Sequence, residues 1–209
     1  MERAKEYVKS IAVRTSESGR VDLDNLWQIH NKYIVSEIKS GLVLIDQHVA
    51  HERVLFENAL QAMETAATAT QTLLFPQVAE LPPDDYSLLV DLFPHLRNIG
   101  FEIKEFGKNT VLIEGVPPEM TWGNEKEILK QIIDSYRSDR KEFPSYREAV
   151  AASFACRAAV KAGDSLTREE MQTLVDRLFA TKHPYYCPHG RPIIINLTLD
   201  ELDRRFERT

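Results

Sequence analysis

The sequence predicts an α+β fold, and three observations carry that expectation. A β-hairpin pattern opens the chain, amphipathic stretches at helical spacing recur along it, and a second hairpin sits in a middle stretch that contains no cysteine. With 209 residues, 43% of them hydrophobic and 28% charged, the chain can bury one good core or two small ones.

Residues 1–24 include the polar run Thr15-Ser16-Glu17-Ser18-Gly19-Arg20 and are expected to form a linker or arm. Trp27 to Ile38 is rich in β-branched and aromatic residues and leads through Lys39-Ser40-Gly41 into Leu42-Val43-Leu44-Ile45, which reads as two strands joined by a tight turn. Apolar residues then shift to helical spacing at Val49, Val54, Leu55, Ala59, Leu60 and Met63, predicting a helix from about His48 to Ala66. Gln71 to Pro76 begins the middle unit. Pro82-Pro83-Asp84-Asp85 starts a helix striped by Tyr86, Leu88, Leu89, Leu92 and Leu96, and Asn98-Ile99-Gly100 ends it. Phe101 to Phe106 and Thr110 to Gly115 alternate around Gly107-Lys108-Asn109 as a hairpin, and Glu125 to Tyr136 is amphipathic. Residues 145–162 are Ala-rich and helical. Thr167 followed by Glu170 is a capping signature for a helix running to about Thr181. Pro184 and Pro188 break the chain into a loop, Ile193 to Leu197 reads as a short buried strand, and Thr198 is placed to cap a last helix from Leu199 to Phe206.

The net charge of −6 argues against a strong, autonomous nucleic-acid binder, though not against an enzyme on DNA that something else holds. No apolar run approaches the roughly 20 residues that cross a bilayer, and the charged N-terminus leads into no signal-peptide core. A cytoplasmic location is the expectation. There a disulfide between the only two cysteines, Cys156 and Cys187, is disfavoured.

Two segments carry candidate chemistry. His48 and Glu52 are four apart on the predicted helix and share a face, with Asp46 at the strand end that feeds it. Taken alone, this spacing also fits a helix-starting Asp followed by an exposed His and Glu. Cys187-Pro188-His189 puts a thiolate and an imidazole two residues apart in a Pro-stiffened loop, with Gly190 permitting tight geometry behind them. Cys and His suit a borderline-soft ion such as zinc, and a carboxylate can complete the shell. Cys156, in a predicted helix, suggests a third contributing stretch. His51, one residue before Glu52, is read as surface, and His30, His95 and His183 as structural or solvated.

Asp46-Gln47-His48-Val49-Ala50-His51-Glu52 with Glu57 resembles the DQHA(x)2E(x)4E motif of the C-terminal endonuclease and dimerisation domains of MutL-type DNA mismatch-repair proteins. Val49 in place of Ala is the one departure. Ala155-Cys156-Arg157 resembles the family's ACR motif, Cys187 to Pro192 its CPHGRP motif, and Phe206-Glu207-Arg208 its FxR motif. The resemblance covers nearly the whole chain from about Trp27 onward. It implies a metal shell of His48, Glu52, Cys156, Cys187 and His189, with Asp46, His48 and Glu52 as the residues of catalysis. The implied cofactors are zinc, structural or regulatory, and manganese or magnesium for cleavage. Members without nicking activity lack the first motif, so the resemblance places this chain in the nicking class.

Arg157 and Arg191 have two readings: contact with DNA phosphate, or support of the ligands through Glu57 and Asp46, with Arg208 as a further support. Gln71-Thr72-Leu73-Leu74-Phe75-Pro76 resembles the peptide by which repair proteins dock on a replicative sliding clamp, through Gln71, Leu74 and Phe75. The other reading makes Leu74 and Phe75 the start of a core strand. The remaining implications are a homodimer, weak DNA affinity, a MutS-type mismatch-recognition partner, no membrane, and a nucleoid-associated place in the cytoplasm. For the architecture the resemblance implies a discontinuous dimerisation subdomain, 25–71 with 141–209, and an inserted regulatory subdomain, 72–140. The family's ATP-binding half is separate, and no Gly-rich phosphate loop occurs here, so an excised fragment is expected.

Overall fold

The structure is a computed structural model that describes residues 26–65, 69–120 and 125–208. The arm expected over 1–24 lies outside them. The fold is α+β, with two antiparallel sheets and six helices among the described residues. None of those helices is long and apolar enough to cross a membrane.

The first sheet runs β1-β2-β3-β7, from β1 (Leu26–Ile29), β2 (Tyr33–Ile38), β3 (Gly41–Asp46) and β7 (Ile194–Thr198). The run Trp27 to Ile38 is therefore two strands, not one. His30 and Asn31 break it with φ of 51° and 50°, and the Ile29 carbonyl accepts the Lys32 N–H at 3.0 Å. This left-handed pair forms the centre of the turn in a three-residue loop, His30–Lys32, and Asn tolerates that conformation better than most residues. Alternation sets two faces. Leu26, Ile34, Ile38, Val43, Ile45 and Ile194 point into a core shared with Val49, Ala50, Val54, Met171, Leu174, Val175 and Leu178. The other face carries a row of paired residues, Trp27, Val35, Leu44 and Ile195, one from each strand. β7, expected to be buried, is an edge strand: Ile194 faces the core and Ile195 is 48% exposed.

The second sheet runs β4-β6-β5, from β4 (Gln71–Glu80), β5 (Glu102–Glu105) and β6 (Thr110–Val116). β4 pairs regularly at Thr72↔Gly115, then only resumes at Gln77↔Ile113. Five steps on β4 thus match two on β6, and the surplus forms a bulge. Leu73 turns inward, while Leu74 and Phe75 are 82% and 75% exposed. They are not core residues.

The helices are α1 (Gln47–Thr65), α2 (Pro83–Asn98), α3 (Glu125–Asp139), α4 (Tyr146–Ala158), α5 (Arg168–Phe179) and α6 (Leu199–Arg205). Thr167 and Glu170 form the reciprocal capping box at α5, and Thr198 caps α6 by accepting the Glu201 N–H.

The chain divides into two compact units, up to Val54 together with Ala159 onward, and Leu55–Ala158. These limits differ from the expected ones at 71/72 and 140/141. The end of α1 and all of α4 pack with the central elements, since α4 buries every residue from Ala149 to Ala155. Phe154 sits edge-on to Phe101 at 6.2 Å, and Phe56 lies 6.2 Å from Phe143.

One backbone position ties the first sheet together. Gly41 has φ of 142° opposite Thr198, and a Cβ there would lie 2.1 Å from the Leu197 carbonyl oxygen. Gly41→Ala should lower unfolding stability by about 1–3 kcal/mol through this clash and the strained φ, measured by urea denaturation.

Candidate metal centre

The site starts where β3 becomes α1. Asp46 ends the strand, and its Oδ1 accepts the Val49 N–H at 3.1 Å, capping the helix. Gln47 is fully buried. Its Oε1 accepts from Gln28, and its Nε2 donates to the carbonyls of Asn31, Lys161 and Asp164 at 2.8, 3.2 and 3.0 Å. That network holds the segment after α4 against the start of α1. His48 Nδ1 lies 2.8 Å from the Val160 carbonyl, which can only accept, so Nδ1 carries a proton and Nε2 is the ring nitrogen left outside that bond. A hydrogen bond of this kind typically orients a metal-ligating histidine. Four residues on, Glu52 is completely buried.

A buried carboxylate needs partners, and a tight loop delivers them. Tyr186 and Pro192 form an isolated bridge, Cys187 N donates to the Arg191 carbonyl at 2.9 Å, and Gly190 N donates to the Cys187 carbonyl at 2.9 Å with Gly190 at φ 80°. The loop places His189 Nδ1 2.8 Å from Glu52 Oε1 and Arg191 Nη2 3.4 Å from Oε2. Ligand atoms of Glu52, Cys187 and His189 all fall within 4.8 Å of one another. Hydrogen bonding to Cys187 and then to Glu52 pushes the His189 pKa up to about 10. Burial pushes the Cys187 thiol up, but hydrogen bonds from the His189 ring and from the Arg191 and His189 amides outweigh it, so the thiol ionises below its ordinary range. One sulfur, one imidazole and one carboxylate, with the thiolate favoured, form a donor set that fits zinc.

The other predicted residues fall in several places. Asp46 and His48 lie on the same stretch as Glu52, outside the three-residue group. Cys156 is half-buried on α4, and Arg157 is exposed with its Nε donating to Ser135 at 2.9 Å. Both belong to the second unit, as does Glu57 on the later turns of α1. Arg191, expected either to meet DNA phosphate or to support the ligands through Glu57 and Asp46, reaches Glu52. Arg208 is exposed and stacks over Phe206 at 5.7 Å. Gln71, Leu74 and Phe75 lie on β4.

His51 was expected at the surface and is not there. It is half-buried, its Nδ1 accepts the Val160 N–H at 3.0 Å, and burial, with Arg177 and His48 nearby, lowers its pKa to about 4. It lines a cavity of about 300 Å³ with Val160, Leu166 and Leu174. The missed signal was its spacing of three from His48, which puts both rings on one side of α1.

Residues 26–166 match the family described as the MutL C terminal dimerisation domain. Similar curated proteins include the DNA mismatch repair protein MutL of Chlorobaculum tepidum, 50% identical over 185 residues that cover 88% of this chain and 30% of that protein. The MutL of Chlorobium phaeobacteroides is 44% identical over 206 residues, 98% of this chain and 32% of its own length. That of Chlorobium limicola is 47% identical over 88% of this chain and 29% of its own length. The chain thus spans about a third of the length of the curated relatives it matches, and it belongs to the MutL C-terminal dimerisation domain family.

Proposed function

We propose that this chain is the metal-dependent DNA-nicking and homodimerisation domain of a MutL-type mismatch-repair protein. The observation that carries the nuclease reading is the convergence of Glu52, Cys187 and His189 around a fully buried carboxylate, one helical turn from His48. In this reading Glu52, Cys187 and His189, with His48, hold the metal, zinc being structural or regulatory and manganese or magnesium serving cleavage. Bound divalent ions supply an acidified water and neutralise charge on the phosphate. The chain's own part is to present His48 Nε2 in a fixed orientation and to hold Asp46 at the helix start beside it. Arg191, 58% exposed while reaching Glu52, offers positive charge at the site's edge.

A second reading has a specific observation behind it: Asp46 already has a structural task as the cap of α1. On that reading the domain only dimerises and docks partners, around a structural zinc. Asn caps helices as well as Asp does, so Asp46→Asn separates the two. The nuclease reading expects supercoiled-plasmid nicking with manganese to fall at least a hundredfold in Asp46→Asn while the melting temperature holds. Equal nicking by both proteins would favour the docking module.

Dimerisation is supported by the outer face of the first sheet, where Trp27, Ile29, Tyr33 and Ile195 are 50%, 43%, 42% and 48% exposed. A contiguous apolar sheet face of this kind marks an interaction surface. Ile195→Glu should convert the dimer to a monomer in light scattering, without loss of helical signal.

Docking on a sliding clamp is supported by the β4 bulge, which presents Leu74 and Phe75 to solvent. A tether would offset the weak DNA affinity that a net charge of −6 implies, by raising the effective concentration of the domain on DNA. The mismatch signal would arrive from a MutS-type partner. Replacing Leu74 and Phe75 with Ala should abolish clamp binding in a pull-down and change stability by less than about 0.5 kcal/mol, as for surface positions.

A further inference from the structure

Immediately after Glu52, the helix carries a second buried charged residue. Arg53 is 3% exposed. Its Nε donates to the Tyr186 carbonyl at 2.9 Å, and its guanidinium carbon lies 5.5 Å from the centre of the Tyr186 ring. Tyr186 is itself fixed: its ring stacks on His183 at 5.4 Å, its hydroxyl meets His183 Nδ1 at 3.1 Å, and its backbone bridges to Pro192 across the mouth of the loop. Cys187 follows it directly in sequence.

From this geometry we infer that Arg53 is a positioning residue, which sets the register of the 186–192 loop against α1 so that Cys187 and His189 meet Glu52. Consecutive helix residues then do complementary work, Glu52 as a member of the ligand group and Arg53 as the anchor of the loop that brings the other two. Guanidinium suits the task because it donates along Nε while its plane packs on an aromatic ring, and a lysine ammonium lacks that fork. The inference rests on the proposed metal site for its purpose, but not for its geometry.

The test compares wild type with Arg53→Gln and Arg53→Lys in two measurements. In chelator-treated protein, alkylation of Cys187 is followed by mass spectrometry of its own peptide. A loosened loop exposes the fully buried thiol, so Arg53→Gln should react about tenfold faster or more, with Arg53→Lys between it and wild type. In cobalt(II) titrations the variants should bind 10–100-fold more weakly, the usual effect of losing a group that orients ligands, and the thiolate-to-cobalt absorption band should shift. Circular dichroism shows whether Arg53→Gln is folded. Should it unfold, Arg53→Lys keeps the buried charge, loses the Nε–carbonyl bond, and must still move in the same direction. Wild-type alkylation rates and cobalt binding in a folded variant would overturn the inference. Wild type that binds no cobalt would sink the metal reading instead, and faster alkylation of the variants would still establish the anchor.

Discussion

Burial of the Glu52 carboxylate constrains this half of the molecule more than any other contact. A carboxylate without solvent persists only with close donors. The partners, His189 at 2.8 Å and Arg191 at 3.4 Å, come from almost 140 residues further along the chain. The loop carrying them must therefore return to the second turn of α1. Its exit is fixed by the same need: Asp46 N donates to the Ile193 carbonyl at 3.0 Å, and β7 then pairs with β3 from Ile194 back to Thr198. One sheet strand thus feeds the helix with the acidic group and receives the strand that follows its partners. The tolerance is small at the far end of that pairing, where only a glycine fits at position 41.

A second anchoring system works from the same first turns of α1. Val160 is held by both its backbone groups, its carbonyl by His48 and its N–H by His51. The two rings have opposite roles at Nδ1, donor in one and acceptor in the other. His51 can accept only while neutral, and its pKa of about 4 keeps it so across the physiological range. Gln47, Gln28 and Asn31 then secure residues 161–166 with side-chain amides, Asn31 Nδ2 donating to the Gly163 carbonyl and Gln28 Oε1 accepting the Leu166 N–H. A side chain that must present one nitrogen in one direction gains from a scaffold with so few free torsions.

Local rules made much of this fold legible in the sequence. The hairpin through Gly41, the helical stripe from Val49, the hairpin around Gly107 and the capping box at Thr167 each rest on residues within a few positions of one another. What escaped depends on distant parts of the chain or on a break in periodicity. The turn at His30-Asn31 lies inside a run of strand-forming residues, and its conformation, not its composition, interrupts the strand. The β4 bulge is invisible because alternation along one strand says nothing of the spacing on its partner. His51 looked solvated because its acceptor role is set by Val160, more than a hundred residues away. For the site, residue types at Asp46, His48, Glu52, Cys187 and His189 were readable. That Glu52 is fully buried, and that Arg191 turns toward it, was not.

The electrostatics of the three-residue group narrow what it can do. Glu52 and a thiolate-prone Cys187 are two acidic groups side by side, and both hydrogen-bond to His189, whose pKa they push up to about 10. Such an arrangement favours positive charge between them. An imidazolium supplies one unit of it, and a divalent cation would supply two after His189 surrendered its proton. Uptake of an ion here would therefore be coupled to proton release and would weaken as pH falls, because protons and the ion would compete for the same lone pairs. An acidic group of this kind would repel an approaching DNA backbone by itself. Arg191 at the rim, 58% exposed while it reaches Glu52, offsets part of that negative charge.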